Sequence, residues 1–503
     1  MENYTKLKKI FETHAHIRYA KRLLIWDEMA MMPEGAGSHR AKTIAIFDQL
    51  MHQMLTSKKV QSALKRAQSE DLTTLWDQKN LAWMQKKHQL LHSIPSQLSA
   101  QSAQANTLAL QAWRKYRAEN NWKDFCPFLE KSFHYVKAIA EIKSQALQMS
   151  PYDALMNDFA PGSHEKEIDP LITQLKSKIL PLRAALMQQQ DRDTVMPLQG
   201  DFPIEKQKTL VVEVGKLLGF NFQQGRIDTS HHPMCDGAPI DVRITTRYNV
   251  HNPLEALMGA IHEIGHGLYE QGMPTEWIWQ PVGQIQDKSL HESQALLFEY
   301  HVGHSLPFLQ TVSTKLRQHF GDHPALSPEN LFQQLHHIRH HPIRIDADAV
   351  SQVLHNSMRY EIEKGLLANT LTIRDLPEAW NTHFQDLFGM ALENNYKEGV
   401  MQDIHWPLGY FGYFPSYVTG QLMAAQLYAT FLKATPEFYQ ELQKGNVGSL
   451  KAWLTEKVYA HASTLTATEL LTTVTGEPLN AEFFIKHISQ PSSWQRSNTL
   501  SAS

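Results

Sequence analysis

The sequence contains little cysteine and no long apolar run, and both shortages narrow the class of protein. Its 503 residues include two cysteines, Cys126 and Cys235, which are far apart and have no CxxC or other metal-type spacing. A disulfide-stabilised scaffold is therefore excluded, and a reducing, cytoplasmic compartment is expected. No segment reaches about 18 consecutive apolar residues, so no transmembrane helix is expected. The charged N-terminal segment also lacks the apolar core of a signal peptide.

A strong excess of either charge is missing too. The formal net charge is −3. Proteins that bind a phosphate backbone usually present a strongly basic face, so nucleic acid is not expected as a partner. Hydrophobic residues make up 42% and charged residues 20% of the chain. This composition is typical of a globular protein with a substantial core.

Helical periodicity dominates the chain. Apolar spacing over residues 1–195 predicts long amphipathic helices. Residues 200–250 are richer in turn-forming and alternating β-branched residues, which predicts a short strand region. Helical periodicity returns over 251–490, with an interruption predicted at GYFGYFPSYVTG, and these helices carry the candidate metal ligands. We predict a mainly α fold with a small β-sheet, built as one continuous domain over 1–503.

The segment HNPLEALMGAIHEIGHGLYEQG contains an HEXXH pattern, formed by His262, Glu263 and His266. The four-residue spacing places both imidazoles on one helical face, where they can bind one Zn²⁺. Glu263 is then positioned to take a proton from metal-activated water. Asn252 and Pro253 are predicted as the N-cap and first-turn residues of this helix. The alternative is an amphipathic helix whose two histidines are satisfied by neighbouring groups.

A catalytic zinc site needs a third protein ligand. The metzincin type is excluded because Tyr269 and Gly272 stand where its glycine and third histidine would be. A carboxylate from a later helix is the remaining standard choice. The segment KSLHESQALLFEYHVG offers Glu292, with Ser289 as a possible N-cap and Glu299 on the same face, where one carboxylate could support the site. Taken alone, Glu292 is more typical of a solvated helix position than of a metal ligand.

Eight segments together resemble the carboxypeptidase Taq family of metallocarboxypeptidases. They occur in the family's order along nearly the whole chain: WDEMAMMPEGAGSHRA, HHPMCDG, DVRITTRY, HEIGH, HESQ, IRIDADAV, GVMQDIHW and GYFPSYVTG. The resemblance implies a large helical body similar to angiotensin-converting enzyme and neurolysin, with a deep active-site cleft, residues 1–195 as a cleft wall and the small sheet near the zinc site. It also implies a homodimer and the release of single residues from peptide C-termini. It also implies that Glu292, in the HES motif, is the third ligand of one Zn²⁺ per chain. Met234 replaces the phenylalanine of the family's HPF motif.

Recognition of a free α-carboxylate is best performed by arginine, whose planar guanidinium donates two parallel hydrogen bonds. Arg344 is the predicted substrate-binding residue, since IRIDADAV is similar to the family's IRXXAD motif. The alternative is an i,i+4 helix pair between Arg344 and Asp348. Both roles are compatible if Asp348 orients the guanidinium.

The segment GVMQDIHWPLGYFGYFPSYVTG concentrates polar and aromatic side chains. His405 together with Tyr413 or Tyr417 is predicted to stabilise the oxyanion of a tetrahedral intermediate. Gln402 is predicted to contact substrate. Aromatic residues in such a cluster also commonly form hydrophobic core, so each tyrosine has a structural alternative.

The strand segment before the metal-binding helix offers two further substrate-binding candidates, His232 and Arg243. If DVRITTRY forms an edge strand, it could hold the substrate backbone by β-strand addition. The alternative for Arg243 is a structural ion pair or a solvated strand edge.

These features predict a cytoplasmic, homodimeric zinc metallocarboxypeptidase (EC 3.4.17 type) whose substrates are peptides with a free C-terminus. Cobalt can occupy the same ligand geometry. Two other functions stay open: an endo-acting zinc oligopeptidase of the same fold, and a non-catalytic helical scaffold with an inert zinc site. Glu263 disfavours the scaffold, because a purely structural site has no use for a general base.

Overall fold

Long helices build the first part of the chain, as the apolar periodicity predicts. The computed structural model describes residues 1–190 and 195–489. Within these ranges, no helix is long and apolar enough to cross a membrane. The helices that precede the sheet are α1 (Glu2–Ala30), α2 (Gly37–Thr56), α3 (Lys58–Ala67), α4 (Leu75–Ser93), α5 (Ser96–Ala118), α6 (Trp122–Leu147), α7 (Pro151–Met156), α8 (Glu165–Gln190) and α9 (Ile204–Leu217).

Polar side chains mark the starts of several of these helices. At α3, α4, α6 and α7 the N-cap side chain accepts a hydrogen bond from the backbone N–H three residues later. Such caps satisfy N–H groups that have no partner within the helix. The helix starts are therefore specified locally, by the residues Ser57, Thr74, Asn121 and Ser150.

A three-stranded sheet follows, in the predicted strand region. Its strands are β1 (Gly225–Thr229), β2 (Met234–Ala238) and β3 (Asp241–Thr246), in the spatial order β1-β3-β2. β3 pairs in parallel with β1 and antiparallel with β2. The expectation that DVRITTRY supplies an edge strand is wrong, because β3 is hydrogen-bonded on both sides. The strand at the sheet edge on the cleft side is β2.

The second helical region follows the sheet. It comprises α10 (Pro253–Gly272), α11 (Lys288–Leu296) with a π-helical continuation (Leu297–Gly303), α12 (Leu306–Phe320), α13 (Pro328–His336), α14 (Ala349–Leu367), α15 (Leu376–Phe388), α16 (Phe414–Ala434), α17 (Phe438–Gln443), α18 (Gly448–Lys457), α19 (Ala467–Thr475) and α20 (Glu482–Ser489). The predicted interruption at GYFGYFPSYVTG is half correct. α16 begins inside that segment, with Pro415 in its first turn, where a missing N–H is tolerated.

Two large apolar clusters make up most of the core, and α16 belongs to both. Met423 and Leu427 of α16 join the cluster around the sheet and α10. Phe414 and Val418 join the cluster formed with α6, α8 and α14. A smaller cluster lies among α1, α3 and α4. α16 therefore connects the halves of the molecule on which the functional cleft is built.

Candidate metal centre and substrate cleft

The segment that carries the HEXXH pattern folds as the sequence predicts. Asn252 Oδ1 accepts a hydrogen bond from the Leu254 N–H at 3.2 Å, and Pro253 occupies the first turn of α10. The helix then places His262 and His266 one turn apart, with their ring centroids 5.0 Å from each other.

The third candidate ligand comes from α11. The N-cap of this helix is Asp287, whose side chain accepts from the Leu290 N–H at 3.0 Å. The expected cap at Ser289 is wrong, because Ser289 lies within the first turn and is buried. α11 packs against α10, and this contact brings Glu292 to the two histidines.

Glu292 faces both imidazoles. Its Oε1 lies 3.8 Å from His262 Nε2, and its Oε2 lies 3.7 Å from His266 Nε2. The three residues offer ligand atoms that all lie within 4.8 Å of one another. Two imidazoles and a carboxylate are the donor set of many catalytic zinc sites, which keep a fourth position open.

The other ring nitrogens of the histidines are already bonded. His262 Nδ1 lies 2.8 Å from Glu299 Oε2, and His266 Nδ1 lies 3.1 Å from the His291 carbonyl oxygen. Because these oxygens accept, the Nδ1 atom of each histidine carries a proton, and the neutral imidazoles can each present the Nε2 lone pair to a metal ion. Glu299 comes from the π-helical segment after α11 and supports a ligand, as its spacing from Glu292 allowed. The residues present therefore fit a divalent metal ion.

Glu263 follows His262 on α10 and lies beside this group. Its side chain is buried, and Oε2 has no hydrogen-bond partner within the described residues. Burial raises the pKa of Glu263 to about 7, although the neighbouring His262 opposes that rise. A carboxylate with an unpaired oxygen and a pKa near neutrality suits a general base.

The candidate metal ligands line a cleft of about 720 Å³. Predicted substrate residues His232, Arg344, His405, Tyr413 and Tyr417 line the same cleft, whereas Gln402 and Arg243 are not among its lining residues.

Arg344 enters the cleft from a short 3₁₀ turn and is held by a buried ion-pair network. Its Nε donates to Asp403 Oδ1 at 3.0 Å, and Asp403 Oδ2 accepts from Arg359 Nε at 2.5 Å. Although burial alone would raise it, the two guanidinium groups hold the pKa of Asp403 well below its usual range. Two cations thus share one anion, which leaves positive charge at the cleft wall for a substrate carboxylate.

Asp348 and Gln402 have roles other than those expected. Asp348 caps α14 by accepting from the N–H groups of Val350 and Ser351. It does not pair with Arg344, since Arg344 precedes the helix. Gln402 Oε1 accepts from the Arg344 N–H at 2.8 Å, and its Nε2 donates to the carbonyl of Pro342 at 2.9 Å. Gln402 therefore fixes the loop that carries Arg344.

The predicted oxyanion group is assembled around His405. Its Nε2 lies 3.2 Å from the Tyr417 hydroxyl, and the Tyr413 ring centroid lies 5.1 Å from the rings of both residues. Burial, reinforced by Arg344, lowers the pKa of His405 to about 3. Burial raises the pKa of Tyr417 to about 12. The imidazole is neutral and the hydroxyl is protonated at neutral pH, so both can take part in hydrogen bonding to an oxyanion.

Arg243 forms a structural ion pair, which was the alternative to substrate binding. Its guanidinium donates to both carboxylate oxygens of Asp241, at 2.6 and 2.9 Å, and lies over the Trp26 ring at 4.6 Å. The sequence also did not reveal Arg359, which is fully buried on α14. Asp403 could have indicated such a residue, because an acid that is buried among aromatic core segments requires a cation as its partner.

The chain is similar to known carboxypeptidases over nearly its full length. The family model described as Carboxypeptidase Taq (M32) metallopeptidase matches residues 6–491. Thermostable carboxypeptidase 1 of Thermus thermophilus is 31% identical over 497 residues, covering 96% of this chain and 97% of that protein. Carboxypeptidase 1 of Bacillus subtilis is 31% identical over 500 residues, covering 97% and 98%.

Solved structures show the same fold. Metallocarboxypeptidase 1 of Trypanosoma cruzi superposes with a TM-score of 0.95 at 31% identity, covering 98% of this chain and 99% of that one. The M32 carboxypeptidase of Deinococcus radiodurans R1 gives a TM-score of 0.93 at 27% identity, with the same coverage. These TM-scores confirm the predicted mainly helical fold.

Proposed function

The chain belongs to the carboxypeptidase Taq (M32) family of metallopeptidases and is a metallocarboxypeptidase, and from this premise we propose how its residues act. We propose one zinc ion per chain, held by His262, His266 and Glu292, with cobalt as a possible substitute. The ligand atoms within 4.8 Å of one another support this assignment. A bound zinc ion supplies Lewis acidity that polarises a carbonyl and lowers the pKa of a coordinated water.

Glu263 is the proposed general base. Its unpaired Oε2 accepts a proton from the attacking water and then delivers that proton to the leaving amine. His405 with Tyr417 stabilises the negative charge that develops on the carbonyl oxygen, and Tyr413 completes this wall of the cleft. The 3.2 Å contact between His405 and Tyr417 makes Tyr417 the favoured tyrosine.

Arg344 is the proposed receptor of the substrate's α-carboxylate, and this observation carries the exopeptidase function. Its Nε is taken by Asp403, while Nη1 and Nη2 have no hydrogen-bond partner in the described part of the chain. These two atoms can donate in parallel to a carboxylate. His232, on the same cleft wall, is proposed to contact the C-terminal residue. An oligopeptidase that ignores the free carboxylate would have no use for this group.

We propose three further properties of the whole protein. A single catalytic domain is supported by α16, which is shared between the two main apolar clusters. A homodimer is supported by the family resemblance, and light scattering on the purified protein would test it. A cytoplasmic location is supported by the two free cysteines, Cys126 and Cys235.

The proposed function is tested with a blocked peptide that has a free C-terminus and with its C-terminally amidated twin. Zinc-loaded protein is incubated with each peptide, and products are followed by mass, with Glu263→Gln as the control. Stepwise loss of single residues from the free acid, abolished in the control, is the expected result. Internal cleavage of both peptides would instead favour the oligopeptidase, and cleavage of neither would favour the inert scaffold.

A further inference from the structure

A second cavity opens off the cleft beyond the edge strand β2. It has a volume of about 380 Å³ and shares Cys235, Lys288 and His291 with the cleft wall. His291 stacks on the candidate ligand His266, with ring centroids 4.0 Å apart. The cavity therefore begins next to the metal centre. Its far wall is formed by α1, which contributes Arg18 among others.

Some charged groups of this cavity are already paired. Arg22, on α1, pairs with Asp236 of β2 and lies 3.6 Å from Glu270 of α10. Lys21, also on α1, pairs with Asp48 at 2.6 Å. Each acid that lines the cavity is thus held by Arg22, and these pairs tie α1 to the sheet and to the metal-binding helix.

Two cations of the cavity have no such partner. Neither Arg18 nor Lys288 forms a side-chain hydrogen bond or an ion pair within the described residues, and the Nε of Arg18 is buried. Burial, reinforced by the neighbouring Arg22, lowers the pKa of Arg18 to about 10, although Glu270 and Asp236 oppose this shift. Three basic residues, Arg18, Arg22 and Lys288, outnumber the two acids of the cavity, Asp236 and Glu270. An anion that enters the cavity therefore gains a favourable electrostatic interaction.

The edge strand β2 sets the path of a bound peptide. His232 and Met234 line the cleft that contains Arg344, whereas Asp236 and Gly237 line the second cavity. An extended peptide lying beside β2 would run from Arg344 past the metal ligands towards this cavity. With its C-terminal carboxylate at Arg344, its upstream residues enter the cavity.

We propose that the second cavity is a subsite for an acidic side chain of the peptide, carried two or three residues before the scissile bond. This position follows if the C-terminal residue lies opposite Pro233, because the upstream residues then lie opposite Cys235 and Asp236. Arg18 and Lys288 donate charge-assisted hydrogen bonds to the substrate carboxylate. The subsite rests on the proposed carboxypeptidase function and adds a substrate class to it.

The test uses blocked peptides with a free C-terminus that differ by Glu, Gln or Lys at one position. One series varies the second residue before the scissile bond, and another varies the third. Release of the C-terminal residue is measured as kcat/KM for the zinc-loaded wild type, for Arg18→Gln, for Lys288→Gln and for the double variant. Lys6→Gln is the matched control, since Lys6 lies on α1, is exposed and pairs with Glu2.

In one series, the wild type is expected to prefer Glu over Gln by about tenfold, and Gln over Lys. The double variant should reduce the preference for Glu to about twofold or less, with little change for the Gln peptide. Arg18→Lys, which keeps the charge, and Lys6→Gln should retain the preference. Melting temperatures close to that of the wild type would show that the variants fold.

Equal kcat/KM values for Glu and Gln in both series would overturn the subsite. A preference for Glu that survives in the double variant would overturn the assignment to Arg18 and Lys288. If the wild type released no residue from any of these peptides, the carboxypeptidase function would fail, and the subsite with it. Failure of the subsite alone leaves release from the Gln peptides intact.

Discussion

At the scale of single residues, the site depends on side chains that hold other side chains. Glu299 fixes the ring of His262 through its Nδ1 atom at 2.8 Å, and Asp403 fixes Arg344 through its Nε atom at 3.0 Å. In both cases the supporting carboxylate leaves the functional atoms of its partner free. Supporting groups of this kind orient metal ligands and raise their basicity.

The two glutamates near the histidines should therefore differ in their effect on metal binding. Glutamine preserves the shape of glutamate but removes its charge. Glu292→Gln removes a proposed ligand, so we expect this variant to lose its metal on dialysis against a chelator. Glu299→Gln leaves the three proposed ligands in place, so we expect its metal affinity to fall by about 10- to 100-fold. Competition with a chromophoric zinc chelator measures both affinities.

A variant pair with unchanged zinc affinity would contradict this division of roles. So would a greater loss in Glu299→Gln than in Glu292→Gln, which would make Glu299 the ligand.

At the scale of elements, α11 is set close to both of its neighbouring helices by glycines. A Cβ on Gly265 of α10 would lie 2.6 Å from the Gln294 carbonyl oxygen and 2.7 Å from Ala295 Cα. A Cβ on Gly420 of α16 would lie 2.9 Å from the Ser289 carbonyl oxygen. Because these are backbone atoms of α11, a side chain at either glycine would displace the helix that carries Glu292.

Gly265→Ala should consequently weaken both folding and metal binding. We expect a loss of about 1–3 kcal/mol in the free energy of unfolding, as for other overpacked contacts, together with reduced zinc affinity. Gly259→Ala is the control on the same helix, since its Cβ would lie 3.5 Å from Thr246 Oγ1, an ordinary contact. This control should be neutral or stabilise by up to about 1 kcal/mol. Urea unfolding and metal titration compare them, and equal behaviour would contradict the close approach.

At the scale of the whole molecule, burial lowers the pKa of several histidines. His301 and His405 have pKa values lowered to about 3, and burial lowers the pKa of His336 to about 4. In the unfolded chain the ordinary histidine pKa is about 6.5. Between pH 6.5 and 3 the unfolded chain therefore binds protons that the folded protein does not. Stability rises with pH through this window and falls on acidification.

We expect the free energy of unfolding of the metal-loaded protein to decrease between pH 7 and pH 5. Each buried histidine contributes about 1.4 kcal/mol per pH unit below its unfolded pKa. His301→Asn should reduce the slope by about that amount, whatever its effect on stability at pH 7. His251→Asn is the control, because the His251 ring is mostly exposed. An unchanged slope in His301→Asn, measured by urea unfolding at several pH values, would show that His301 titrates in the folded protein.

Much of this organisation could be predicted from sequence because it is local. The HEXXH spacing, the Asn252 cap and the alternation of β-branched residues each involve neighbours along the chain. Long-range pairing has no such periodicity. The sequence did not reveal that Asp403 holds Arg344, since 59 positions separate them. The central position of β3 was likewise missed, because strand order depends on tertiary packing.

The proposed role of Arg344 is to make this metallopeptidase an exopeptidase. The most direct measurement is the ratio of kcat/KM for a free-acid peptide to that for its C-terminal amide, in the wild type and in Arg344→Gln. We predict a preference for the acid of about 30-fold or more in the wild type, lost in Arg344→Gln mainly through a higher KM. Arg247→Gln, at a cleft arginine already paired with Glu255, should retain it. If the wild type did not prefer the acid, or if Arg344→Gln kept that preference unchanged, Arg344 would not be the receptor of the substrate carboxylate.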